Sequence, residues 1–370
     1  MLTLLLAASL AADPVAKLDP AQPYTATATD PVSYTVDFRI VLTAPQNTRK
    51  LAVWVPVPPS DEAQAVSGSK WDTFPERVKP EIHTETVHGN TFAYFEFANP
   101  QGAQVITHTF TAKVHQLNWH LDAAKVDKVA EWPASFDPYL RGEQLIRVDD
   151  TFKKLAGEIA TGKTTPADRV DAITGWVQQH LTYDHSNTSL VASSTHALTK
   201  KRGDCSDYHG LCSSLGRSLG VPTRVTYGLH LFPKNLPSHC KLEAFLPPHG
   251  WVSFDVSETQ RLIARIHEAK ELTADEKAKL TAAAGERMRK GFRDNTWLLL
   301  TRGTDFALAP KASGKVPLVS VVYAEADGKP FPTPDPADPT KREFSWMTAH
   351  RYTADPPPVY PFKEWKTLAK

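Results

Sequence analysis

Between Ser33 and Leu117 the chain alternates with a period of two, and beyond Gln144 it repeats with a period near 3.6. This change of period constrains the fold more than any other feature, since a period-two pattern buries one face only as a strand and a 3.6 pattern only as a helix. In the first stretch, Tyr34–Leu42, Lys50–Val57 and Val105–Val114 are rich in alternating β-formers. Ile82–Val87 and Thr91–Phe97 flank His88-Gly89-Asn90, whose Gly and Asn accept positive φ and close a hairpin. About five or six short strands of this kind predict a β-sandwich over residues 33–118.

In the second stretch, Leu145–Ile159 carries a helical apolar pattern. Thr165-Pro166-Ala167-Asp168 is a start signal, with a Thr cap, Pro at the first helical position and an acid in the first turn. A third helix is expected from Cys205, where Tyr208, Leu211, Cys212, Leu215 and Leu219 form one stripe that Gly220 and Pro222 stop. Arg224–Leu231, Leu242–Phe245 and Trp251–Asp255 read as short strands of an antiparallel sheet. Thr273–Glu276 is a capping box opening a polar helix to about Lys290. Trp297–Leu300 and Leu318–Tyr323 are further strands expected to complete the same sheet, and Phe331–Lys370 is a Pro-rich stretch expected to wrap the surface. The fold class predicted is α+β.

With 42 Lys and Arg against 41 Asp and Glu in 370 residues, no broad field exists to attract nucleic acid or an anionic membrane. Met1–Ala12 is an apolar stretch of signal-peptide length in which Ser9-Leu10-Ala11 offers the small residues a signal peptidase inspects, which predicts export. No other stretch is long and apolar enough to span a bilayer. The cysteines, Cys205, Cys212 and Cys240, are odd in number, so in an oxidising compartment at least one thiol stays free or pairs between chains. On one helix, Cys205 and Cys212 would stand about 10 Å apart along the axis, beyond disulfide reach, which leaves only pairings with Cys240 open.

A cysteine attacks as a thiolate, and a helix N-terminus favours that form through its aligned dipoles and unpaired amides. Cys205, in Arg202-Gly-Asp-Cys-Ser-Asp-Tyr208, has that setting; Gly203 permits a tight approach, and nearby amides are placed to face an oxyanion. His239 leads the strand containing Glu243, and the turn Pro247–Gly250 returns the chain so that Asp255 pairs back near it. Cys212 reads as packing, Asp207 as a first-turn acid and Glu243 as a structural carboxylate. Cys205 and His209, at i and i+4, would need His239 or Cys240 to hold zinc. No CxxC, HExxH or EF-hand loop accompanies them, so neither a metal nor another cofactor is implied.

Ala197-Leu198, Arg202–Tyr208, Leu219–Arg224, Gly228, His239, Glu243 and Gly250–Asp255 together resemble the transglutaminase-like core in order and spacing. The resemblance covers roughly Gln144 to Glu258. It implies a papain-like arrangement of helices on an antiparallel sheet behind a β-sandwich, with Cys205, His239 and Asp255 as catalytic triad. It also implies an oxyanion-supporting side chain from the preceding helix, for which Trp176 and Tyr183 are the candidates. Arg302–Asp305 and Ala326–Lys329 resemble the closing strands of bacterial members. One departure stands out: two positions after the histidine, where members commonly carry an aromatic residue, this chain has Lys241.

The expected layout is a signal peptide (1–12), a linker (13–32), the sandwich (33–118), a second linker (119–143), a catalytic domain (144–325) and a tail (326–370). Within the catalytic domain lie a core (144–258), a helical insertion (261–290) and closing strands (296–325). The activity implied is thioester-mediated acyl transfer on a protein or peptide substrate, ending in hydrolysis or transamidation. The competing reading is a non-catalytic extracytoplasmic binding module that keeps the fold.

Overall fold

The computed structural model describes residues 18–232, 238–332 and 346–369, so the expected signal peptide lies outside the described residues. The amino-terminal part runs through β1 (Thr27–Thr43), β2 (Lys50–Val57), β3 (Gln64–Phe74), β4 (Glu81–Thr84), β5 (Thr91–Ala98) and β6 (Ala103–Asn118). Helices α1 (Asp137–Leu140), α2 (Asp150–Ile159) and α3 (Pro166–His180) follow, then β7 (Thr182–Tyr183), α4 (Ser194–Lys200), β8 (Arg202–Gly203) and α5 (Cys205–Ser218). Next come β9 (Thr223–His230), β10 (Ser238–Phe245), β11 (Trp251–Phe254), α6 (Val256–Glu268) and α7 (Ala274–Arg289). The remaining strands are β12 (Phe292–Arg293), β13 (Trp297–Arg302), β14 (Tyr323–Ala326), β15 (Lys329–Pro330) and β16 (Trp346–Asp355), and a short 3-10 helix, Trp365–Ala369, follows.

The period-two stretch forms two facing sheets. One has the order β12-β6-β1-β16, with β3 also on β6, and the other the order β15-β14-β2-β5-β4. Alternate residues of β1, from Val32 through Tyr34, Val36, Phe38 and Ile40 to Leu42, are buried against Leu51, Val53, Val55, Phe95 and Phe97 of the second sheet. Ala52, Trp54, Phe92 and Tyr94, on the other face of β2 and β5, are covered by Phe306, Leu308, Val316 and Val319. The strand expected at Leu318–Tyr323 therefore appears at Tyr323–Ala326 and pairs with β2 instead of completing the downstream sheet.

A third sheet, ordered β11-β10-β9-β13, lies between the helices and the sandwich. One face of it receives α5, while Leu229, Leu231, Leu298 and Leu300 pack into the sandwich core. The start signals at Thr165 and Thr273 cap α3 and α7 as expected, the latter with both capping-box bonds made. The helix expected from Leu145 begins only at Asp150, because Asp149 caps it and Ile146 is drawn into the packing beneath β9 and β10. Part of the stretch expected to wrap the surface is instead a sheet strand: β16 pairs with β1 from Ser33 to Leu42. Among the described residues, no helix is long and apolar enough to cross a membrane.

Candidate active site

Cys205 opens α5 because Asp204, in extended backbone, caps the helix: its Oδ1 accepts from the amides of Ser206 at 2.9 Å and Asp207 at 3.4 Å. Gly203 is required just before it, since a Cβ there would overlap the Asp207 carboxylate. That carboxylate accepts from the Thr188 hydroxyl at 2.8 Å, the Ser189 amide at 2.9 Å and the Ser189 hydroxyl, tying the 188–193 loop to the helix start. Ser206 to Arg217 are buried, whereas Cys205 itself is half-buried. All three cysteines are free thiols.

The Cys205 sulfur packs against the cluster that contains Cys240, and the Cys240 thiol and His239 both act on its titration. The Cys240 thiol draws its pKa down; burial opposes this, His239 lowers it further and the Asp204 carboxylate raises it, leaving about 7 against an ordinary 9.0. The helix terminus expected to favour the thiolate is thus opposed at short range by its own cap. Asp204 also occupies the amides of Ser206 and Asp207, leaving the Cys205 amide as the first-turn donor for an oxyanion.

His239 is the second residue of β10, opposite Gly228 of β9. A Cβ at Gly228 would overlap the Leu298 carbonyl and the Trp297 ring, so β9 and β13 approach closely only because this residue is glycine. The Trp297 indole donates to the His239 carbonyl at 2.9 Å and fixes the strand there. His239 Nε2 donates to Asp255 Oδ2 at 2.8 Å, which leaves Nδ1 for the sulfur. Burial pushes the imidazole pKa down, but the Asp255 and Cys205 charges raise it more strongly, to about 10.

Asp255 has a second duty that the strand reading did not foresee: it is the N-cap of α6, its Oδ1 accepting the Glu258 amide at 3.0 Å. The β10–β11 register ends at Leu242↔Phe254, so Asp255 falls one residue beyond, across from Lys241. Lys241 is 1% exposed, and its Nζ lies 2.6 Å from Asp255 Oδ2 and 2.9 Å from Asp294 Oδ1. Burial, which raises a carboxyl, is outweighed at Asp255 by Lys241 and then His239, which hold it well below the usual carboxylate range.

The site thus joins Cys205, His239 and Asp255. Tyr183, paired through β7 to Gly203, is also present: burial raises its phenol far above the ordinary value, the nearby Cys205 charge adds to this, and Arg261 stacks over its ring at 4.7 Å. Trp176 has its ring stacked on His180 at 4.2 Å with the Lys201 ammonium 4.6 Å above it. Of the residues gathered round these three, the sequence singles out Lys241 only as a departure and His209 and Cys240 only as zinc candidates, and gives no sign of Asp294. Lys241 was legible, since two residues apart on a strand share a face; Asp294 arrives from a distant turn without a local signal. His209 Nε2 accepts the Val256 amide at 3.1 Å and Nδ1 faces Cys240 Sγ at 3.4 Å, so both ring nitrogens are committed within the protein, away from the zinc arrangement weighed above. Glu243 is structural, accepting from Tyr24 at 2.6 Å and Arg224 at 2.7 Å.

Residues 153–256 match the family model described as the transglutaminase-like superfamily. An uncharacterized protein of Haemophilus influenzae is 21% identical over 338 residues, covering 77% of this chain and 83% of that protein. The solved structure of the "Putative Cysteine Protease" from Cytophaga hutchinsonii is 15% identical and superposes with a TM-score of 0.58 over 89% of this chain and 91% of that one, a likeness of fold. The chain therefore carries a transglutaminase-like core domain behind amino-terminal β-sheets.

Proposed function

We propose that this chain is an exported cysteine-nucleophile acyl-transfer enzyme acting on peptide or carboxamide carbonyls of a protein or peptide substrate, with Cys205, His239 and Asp255 as its triad. One observation carries the reading: a half-buried thiol at a helix start lies within electrostatic reach of an imidazole whose Nε2 is held by a buried carboxylate. The Cys205 thiolate attacks the carbonyl carbon, a C–S bond forms, and the carbonyl electron pair moves to oxygen. The Cys205 amide and the Tyr183 hydroxyl are the donors assigned to that oxygen. As the tetrahedral species collapses, His239 Nδ1–H protonates the leaving amine and a thioester remains. Water or an amine then attacks it, His239 now accepting the proton, and the thiolate is regenerated. Export rests on the Met1–Ala12 sequence alone.

The test is incubation with a mixed peptide library and a labelled primary amine, read by mass spectrometry of all products. Wild-type protein is expected to release peptides or incorporate the amine, and Cys205→Ala to do neither. Iodoacetamide is expected to alkylate Cys205 with a midpoint near pH 7. A midpoint at the free-thiol value of about 8.5, with no product formed, overturns the reading in favour of a binding module.

A further inference from the structure

Lys241 stands where the family commonly has an aromatic residue, and the structure gives it a position no surface lysine has. Its ammonium is buried over the Phe362 and Trp297 rings, at 4.9 and 5.4 Å, and its two anionic partners are Asp255 and Asp294. Asp294 is held in turn by the Thr296 hydroxyl. Lys241 and His239 bind the same atom, Asp255 Oδ2, at 2.6 and 2.8 Å, while Oδ1 is turned to the α6 amide.

We infer that Lys241 and Asp294 are positioning residues for the triad: Lys241 aims Asp255 Oδ2 at the imidazole and weakens its hold on the imidazole proton, and Asp294 sets how much of the Lys241 charge Asp255 receives. The proposal rests on the triad reading above. The chain of contacts runs Asp294–Lys241–Asp255–His239–Cys205, so a charge at its far end acts electrostatically on the proton that must reach the leaving group. The other groups facing it are His209 from α5, His230 from β9, Glu258 from α6 and Arg287 from α7. Burial keeps His209 and His230 neutral, pushing each down to about 3. Glu258 is paired with Lys363 at 2.7 Å and Arg261 at 2.5 Å. Arg287 acts on both Asp294 and Asp255 and is unchanged in every variant below.

The test is a pH titration of the His239 ring by NMR of histidine-labelled full-length protein, alongside turnover of the peptide and amine pool. The Lys241→Met/Asp294→Asn double variant removes one charge of each sign, so no lone buried ion remains, and it loses the nearer positive charge. Its His239 midpoint is expected to rise by roughly one pH unit, with turnover reduced. Asp294→Asn alone, which leaves Lys241 bearing undivided on Asp255, is expected to move the midpoint the opposite way and serves if the double variant does not fold. Lys241→Arg, which keeps the charge, is expected to restore the wild-type midpoint. Loss of turnover with an unmoved midpoint, or shifts of the same sign in both variants, overturns the proposal and leaves Lys241 a structural ion. If instead Cys205→Ala leaves the wild-type His239 midpoint unchanged, the triad reading itself fails, whatever Lys241 does.

Discussion

At the scale of single residues the sulfur environment decides the chemistry, and Cys240 contributes to it alongside the neighbouring histidine. The Cys240 thiol lowers the pKa of Cys205, so Cys240→Ala is expected to raise that pKa above its value of about 7. The rising limb of the kcat/KM profile, which follows thiolate formation, then moves to higher pH. The falling limb, which follows loss of the His239 proton near 10, stays in place. Iodoacetamide alkylation rates across pH 5–10 check the first limb without any substrate, and an unmoved midpoint removes Cys240 from the account. The adjacency of Cys205 and Cys240 carries no sequence signal, because it depends on how α5 crosses β10.

Among the elements, β11 and α6 meet at Asp255, which serves both. Asparagine caps a helix about as well as aspartate, so Asp255→Asn is expected to keep α6 while removing the negative charge beside His239. The His239 pKa then falls from about 10 toward its ordinary 6.5, and the alkaline limb of kcat/KM moves down with it. Turnover is expected to fall at least about tenfold, since the imidazole loses the group that fixes its tautomer. Circular dichroism and the pH profile check the two halves of this prediction separately; lost helix content with an unchanged limb contradicts it. The motif Asp255-Val-Ser-Glu258 was legible as a helix start, yet the strand reading of Trp251–Asp255 hid it, because one residue closes the strand site and opens the helix.

Across the whole molecule, the sandwich and the active-site sheet are locked by one glutamine. Gln64 Oε1 accepts from Arg293 and from the Leu299 amide, each at 2.8 Å, and Nε2 donates to the Leu299 carbonyl at 3.0 Å. Gln64→Leu strands these buried groups and is expected to cost about 2–4 kcal/mol, measured by urea unfolding, without moving either limb of the pH profile. Acid should unfold the protein for a related reason. His108, His209 and His230 are pushed down to about 3 by burial. Each is neutral in the fold but protonates near pH 6.5 once unfolded, so stability is full above about 6.5 and declines as pH falls toward 3. Asp294 acts in the same sense lower down, its carboxyl brought to about 2 by Lys241 against the cost of burial. The melting temperature is therefore expected to fall steadily from pH 6.5 to 3; a flat profile over that range contradicts these assignments.

Periodicity and local signals by themselves determined the types of the elements they marked, the caps at Thr165 and Thr273, the placement of Cys205 at a helix start and the pairing that brings Asp255 toward His239. Those features depend on residues within a turn, a hairpin or one amphipathic face, where spacing alone carries the geometry. The tertiary structure decided what depends on partners far along the chain: β16 on β1, β14 on β2, Gln64 against Arg293 and Leu299, and Asp294 on Lys241. A strand edge or a buried charge accepts whichever complementary segment the fold delivers, and which segment that is follows from the packing of three sheets rather than from local sequence.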